Sequence, residues 1–170
     1  ARRIDRLPLP PSVFRTLCDR HPHLGPEELS MVQRGLREYF QVCNLAGTRM
    51  VSMPSRVVDV AWHELILFTR FYEKFCRDAL GRFLHHTPAE AMATPTSAQL
   101  GIRRAWRLAC LREGIDPKAP QRLPLLFALD ASLAIPDGFT YELDCRGKGR
   151  DTYCATRSGC ASGCAGDTGD

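Results

Sequence analysis

The sequence predicts an all-α fold, a compact helical bundle around one long buried helix, with a Gly/Cys-rich C-terminal tail. Three observations carry that expectation. Apolar residues recur at helical spacing from Ser12 to Glu113. Proline and glycine stand where helices open and close. After Pro136 glycine rises sharply, and four of the eight cysteines fall in the last 26 residues. A chain of 170 residues with 44% hydrophobic and 25% charged side chains has the composition of a folded globular protein. We divide it into a helical domain over 1–135 and the tail over 136–170.

Leu7-Pro8-Leu9-Pro10-Pro11 is an extended lead-in, because proline restricts both its own φ and the residue before it. Ser12 then caps a short helix to about Arg20, broken by His21-Pro22-His23. Pro26-Glu27-Glu28 opens a second helix, with proline in the first turn and acids where the helix dipole favours them. Leu29, Val32, Leu36, Tyr39, Phe40 and Cys43 follow at helical spacing up to Gly47. Pro54-Ser55 starts the longest predicted helix, running to Leu80 and stopping at Gly81. It is apolar nearly all round, which predicts burial. Thr87-Pro88-Ala89-Glu90 has capping-box spacing for a short helix before Pro95. Ser97 to Glu113 forms an amphipathic helix closed by Gly114. The apolar segment 123–129 supplies a last helical turn or two, and Phe139 to Leu143 alternates like a strand.

The formal charge of +4 is spread along the chain. Arg103, Arg104 and Arg107 make the best basic stripe, which reads as a solvated helix face, so no nucleic-acid partner is expected. Only three of the 23 basic residues are Lys, which reads as the codon bias of a GC-rich genome. No stretch reaches the roughly 18 uncharged apolar residues of a membrane helix. Cys18, Cys43, Cys76 and Cys110 sit in helical apolar patterns, where a free thiol behaves as a small hydrophobe. That argues for a reducing, cytoplasmic compartment. The chain begins at Ala1 followed by Arg2-Arg3, which leaves room for an upstream signal or anchor.

The chemistry concentrates on the histidines. Asp59 and His63 are four apart on the predicted long helix and share a face, with Trp62 and Glu64 beside His63. A carboxylate and an imidazole inside an apolar helix are costly unless paired or ligated. His85-His86 follow Gly81, and they reach His63 only if the chain turns back antiparallel alongside the helix. One reading is a metal site of His63, one or both of His85 and His86, and Asp59 or Glu64, suited to zinc or to non-haem iron. Another makes Asp59 the orienting partner of His63, with His85 and His86 at a helix C-terminus. A third uses Cys76 as a nucleophile, although its apolar neighbours raise the thiol pKa. His21 and His23, on a loop around a proline, are weaker metal candidates.

The run Met53-Pro54-Ser55-Arg56-Val57-Val58-Asp59-Val60-Ala61-Trp62-His63-Glu64-Leu65, then Tyr72-x-x-Phe75-Cys76 and Gly81-Arg82-Phe83-Leu84-His85-His86, resembles the glycine-rich domain protein family in its compact bacterial members. The Gly/Cys-rich tail fits that resemblance, which spans residues 7–165. It implies an α-helical domain and carries no activity with it. Relatives often place a second histidine two positions after the first, where this chain has Leu65.

In the tail, Cys145, Cys154, Cys160 and Cys164 are separated by eight, five and three residues, and Ser158-Gly159-Cys160-Ala161 repeats at once as Ser162-Gly163-Cys164-Ala165. Four thiolates holding zinc, one or two disulfides, and a flexible tail with free thiols all fit. An iron–sulfur cluster lacks its usual C-x2-C pairs. The function these features indicate is a small metal-binding protein, with zinc first and iron as the alternative. Two further readings stand beside it. One is an interaction module for a protein partner, built on an Asp/Trp/His cluster. The other is a metal-dependent hydrolase in which Glu64 is the general base acting on water at the metal. A thiol redox protein would use the tail cysteines, without a C-x-x-C to support it.

Overall fold

The computed structural model describes residues 2–6, 8–86, 95–143 and 153–154. In chain order the helices are α1 (Arg2–Asp5), α2 (Pro11–Arg20), α3 (Pro26–Ala46), α4 (Arg56–Ile66), α5 (Thr69–Phe75), α6 (Pro95–Glu113) and α7 (Leu125–Ser132). A π-helical turn, Cys76–Leu80, continues α5. Tyr141–Glu142 (β1) and Tyr153–Cys154 (β2) form one short parallel pair, Tyr141 opposite Tyr153. The all-α expectation is met. The predicted helix around Thr87-Pro88-Ala89-Glu90 lies outside the described residues.

The 21-residue α3 is the hub, packed by α4, α6, α7 and α1. It starts on Pro26 with Glu27 and Glu28 in the first turn, and it ends at Gly47, whose φ of 63° suits a residue without Cβ. Tyr39 and Phe40 on α3 meet Trp62 of α4 with ring centroids 5.1 and 6.2 Å apart, and Phe40 lies 5.0 Å from Phe75. A second aromatic group, Trp106, Phe127 and Tyr141, closes the far side of the core. Gly35 sits where α3, α4 and α7 converge, since a Cβ there would fall 2.4 Å from Leu129 Cδ1 and 2.9 Å from Val58 Cγ2.

Three details differ from expectation. First, α2 is opened by Pro11 behind Pro10, and no side chain caps it, so Ser12 is not its cap. Proline at the first helical position loses only an N–H that would have been unpaired anyway. Second, the 54–80 segment is helical in three pieces, not one rod, with a bend at Leu67 and Phe68. On a straight helix Trp62 and Tyr72 would stand about 15 Å apart along the axis. The bend instead lets Trp62 Nε1 donate to Tyr72 Oη at 3.0 Å and sends Phe75 into the core. The cost shows at the corner, where Leu67 is 72% exposed. Third, Cys43, Cys76 and Cys110 are buried as expected, but Cys18 is exposed on the outer face of α2.

Helix ends are tied by side chains from distant parts of the chain. The buried Asp130 carboxylate on α7 accepts from Ser55 Oγ at 2.7 Å, Arg56 N at 2.6 Å, Val57 N at 3.2 Å and Phe139 N at 2.9 Å. Ser55 Oγ in turn accepts from Val58 N, as an N-cap does. Three orphan donors at the start of α4, and the Phe139 N–H beyond α7, are thus satisfied by one carboxylate and one hydroxyl. Glu113 Oε1 accepts from Leu125 N at 2.6 Å and serves α7 in the same way, while His23 Nε2 donates to Leu133 O at 3.0 Å just past its end.

Candidate metal centre

Arg56, Asp59 and His63 stand at i, i+3 and i+7 on α4, which places them on one stripe of the helix. The stripe starts at the anchored N-terminus described above, so its angular position is set by the Ser55–Asp130 contact. The returning chain is placed by the bend. Tyr72 Oη accepts from Trp62 and donates to Leu84 O at 2.6 Å, tying the strand-like stretch 83–86 to α4. Arg82 donates to the carbonyls of Cys43, at 3.1 Å, and Gly47, which fixes the same stretch against the end of α3. The chain beyond Gly81 therefore comes back beside α4, and it brings His86, not His85, to Asp59 and His63.

His86 Nε2 lies 2.9 Å from Asp59 Oδ1, and His63 Nδ1 lies 3.5 Å from Asp59 Oδ2. The two imidazoles are in contact at a tilt of 46° with centroids 4.0 Å apart, and His86 packs edge-on to Trp62 at 4.5 Å. Asp59, His63 and His86 each offer one ligand atom, and these atoms lie within 4.8 Å of one another. Around a tetrahedral zinc with bonds near 2.1 Å, neighbouring ligand atoms stand about 3.3 Å apart. The two nitrogen–oxygen separations, each to a different oxygen of the Asp59 carboxylate, lie on either side of that value. Side-chain exposure falls from 50% at His63 to 31% at Asp59 and 12% at His86, so the group is rooted in the fold and open on one side.

The open side gives onto a cleft of about 550 Å³. Met50, Met53, Ile102 and Phe83 supply apolar wall, and Arg49, Arg56 and Arg82 bring positive charge. His85 also lines this cleft and stacks near Phe83 at 4.8 Å. It is exposed and stands outside the three-residue group. Cys43 lines the cleft as well, but burial pushes its thiol up to about 12, so it is a protonated wall residue.

Other expected site residues are placed elsewhere. Glu64 turns to α2, where Oε2 accepts from Thr16 Oγ1 at 3.2 Å and Oε1 lies 3.9 Å from Arg20. The structure does not bring it into the group, because it sits one residue, or 100°, around the helix from His63. Cys76 is fully buried, and burial raises its thiol, so the nucleophile reading has no support in this geometry. Cys145, Cys160 and Cys164 lie outside the described residues, as does the side chain of Cys154. Asp130 and Tyr72 position the site from a distance; Asp130 did not stand out in the sequence, and Tyr72 did so only within the Tyr72-x-x-Phe75-Cys76 run. Arg56 was not singled out either, although its place three residues before Asp59 on one helix is a signal that could have found it.

Among the described residues no helix is long and apolar enough to cross a membrane. A family model described as UCP032817-like matches residues 1–167, and that description names no activity. The match overturns the resemblance to the glycine-rich domain family. The Trp-His and Gly-x-Phe-x-His-His run lies within that match, and nothing indicates the glycine-rich domain family. No curated protein and no solved structure matches the chain.

Proposed function

The chain belongs to the UCP032817-like family, and from its own residues we propose a small metal-binding protein whose divalent cation is held by Asp59, His63 and His86. Zinc is the first choice and iron the alternative, since two imidazoles and a carboxylate suit both. The observation that carries this reading is the convergence of the three ligand atoms within 4.8 Å on the wall of a cleft. His86 reaches Asp59 from 27 residues further along the chain. A purely structural Asp–His pair would need only one imidazole and would be at home away from a cavity.

Three protein donors leave further coordination positions, which is the pattern of sites that bind or activate a small molecule and not of closed structural sites. Metal-dependent hydrolysis is therefore the second reading, favoured by the open cleft. The ion would supply Lewis acidity there. Proton acceptance would fall to His85 on the cleft wall, since Glu64 is engaged by Thr16 and Arg20. The terminal Cys145, Cys154, Cys160 and Cys164 stay proposed as a second, thiolate ligand set.

Zinc titration of the metal-free, untagged protein tests the proposal, with a variant carrying serine at those four positions to isolate the first site. We expect one equivalent bound in that variant, and loss of it in His63→Ala and His86→Ala. Binding that neither substitution alters, or no binding of zinc or ferrous iron at all, would show that these residues are an ordinary polar cluster.

A further inference from the structure

We propose that the cleft beside the metal site takes a small organic anion, with an acidic head between the metal group and Arg56 and an apolar body against Met50, Met53, Ile102 and Phe83. The inference names a ligand class for the site proposed above and rests on that reading for the position of the head. It is carried by the charges and by what each of them already does.

Three guanidinium groups and one carboxylate, Asp59, line the cleft, so its field favours an anion before any cation is added. Two of the three cations are committed to the fold. Arg82 donates to the carbonyls of Cys43 and Gly47, and Arg49 Nε donates to Ala46 O at 3.3 Å, both at the C-terminal end of α3. There they offset the negative end of that helix. Arg56 differs. Its backbone N–H is taken by Asp130, but its exposed side chain has no partner among the described residues. It shares the α4 stripe with Asp59 and His63, one turn before the carboxylate. A planar guanidinium beside a metal group matches an acidic head, because a phosphate accepts its two parallel N–H groups and keeps an oxygen for the ion, while a carboxylate gives one oxygen to each.

The apolar half of the ligand follows from the rest of the wall. Met50, Met53, Ile102 and Phe83 bring flexible thioethers and flat aliphatic or aromatic surface to the same space. Met50 is 39% and Phe83 46% exposed, so both present apolar surface to the cleft. A volume of about 550 Å³ suits a molecule of metabolite size and is too small for a folded partner.

Binding of 4-phenylbutyrate, phenylphosphonate and the uncharged 4-phenylbutyramide, followed by Trp62 fluorescence in zinc-loaded and zinc-free protein, tests this. One or both acids should bind saturably and roughly tenfold more tightly than the amide. Arg56→Gln should abolish that difference while leaving amide binding, zinc stoichiometry and thermal unfolding as they are. Whichever acid retains the Arg56 dependence identifies the head group. In zinc-free protein the Arg56 dependence should persist with weaker binding, so a failure of the metal reading alone would leave this arm intact. Equal affinity for acid and amide, indifference to Arg56→Gln, or no saturable binding of either acid would overturn the proposal.

Discussion

Ser55 Oγ donates to Asp130 Oδ1 at 2.7 Å across 75 residues of sequence, and both side chains are buried. This contact sets the N-terminus of α4, and with it the rotation of the stripe that carries Arg56, Asp59 and His63. Replacing Asp130 with alanine leaves the Ser55 hydroxyl and three backbone N–H groups without their acceptor. We expect a loss of about 3 kcal/mol in unfolding free energy by urea titration, against about 1 kcal/mol for Ser55→Ala. A loss below that of Ser55→Ala would show that the α4 donors find other partners.

Tyr72 supports the site from the other side. Its hydroxyl joins Trp62, next to His63, to the Leu84 carbonyl, two residues before His86. Tyr72→Phe keeps the ring and its packing but strands a buried N–H and a carbonyl. The expected cost is about 1–3 kcal/mol in stability, with roughly tenfold weaker zinc binding by titration. Unchanged zinc affinity would mean that Arg82 alone holds the returning chain in place.

Gly35 gives a prediction whose sign opposes helix propensity. In an open helix, Gly→Ala would gain about 1 kcal/mol. Here the new methyl group meets Leu129 and Val58 inside van der Waals distance. Overpacking costs about 1–3 kcal/mol, so Gly35→Ala should lower the melting temperature. A rise would show that α3 and α7 separate freely.

The thiols divide by burial. In the protein with serine at the four tail cysteines, only Cys18 should react rapidly with a thiol reagent under native conditions, and Cys43, Cys76 and Cys110 only after unfolding. Burial raises Cys43 and Cys110 to about 12 from the ordinary 9.0. The folded state thus holds these thiols protonated while the unfolded chain releases the protons. Their contribution to stability is complete below pH 9 and is lost as pH rises towards 12. Cys43→Ala should therefore make the alkaline fall in stability shallower by about 1.4 kcal/mol per pH unit. An unchanged slope would contradict the assignment.

Much of this protein was legible in its sequence because the signals are local. Pro26 with Glu27 and Glu28, the Ser55 cap, and Gly47, Gly81 and Gly114 at positive φ mark helix ends through the chemistry of single residues, and the helices follow. The 3.6-residue period placed Asp59 and His63 on one face, and it identified Cys43, Cys76 and Cys110 as core. Periodicity cannot see where an apolar helix must bend to bury itself. The corner at Leu67 and Phe68 is decided by Trp62, Phe75 and Tyr72 finding partners across the fold. The same limit applies to the site. That His86 and not His85 joins Asp59, that Glu64 turns to Thr16, and that Asp130 anchors α4 are contacts 27, 48 and 75 residues apart. By itself the sequence determined the helices and the few residues able to ligate a metal. Tertiary structure chose among them, because distance and burial between remote side chains arise only once the core has packed.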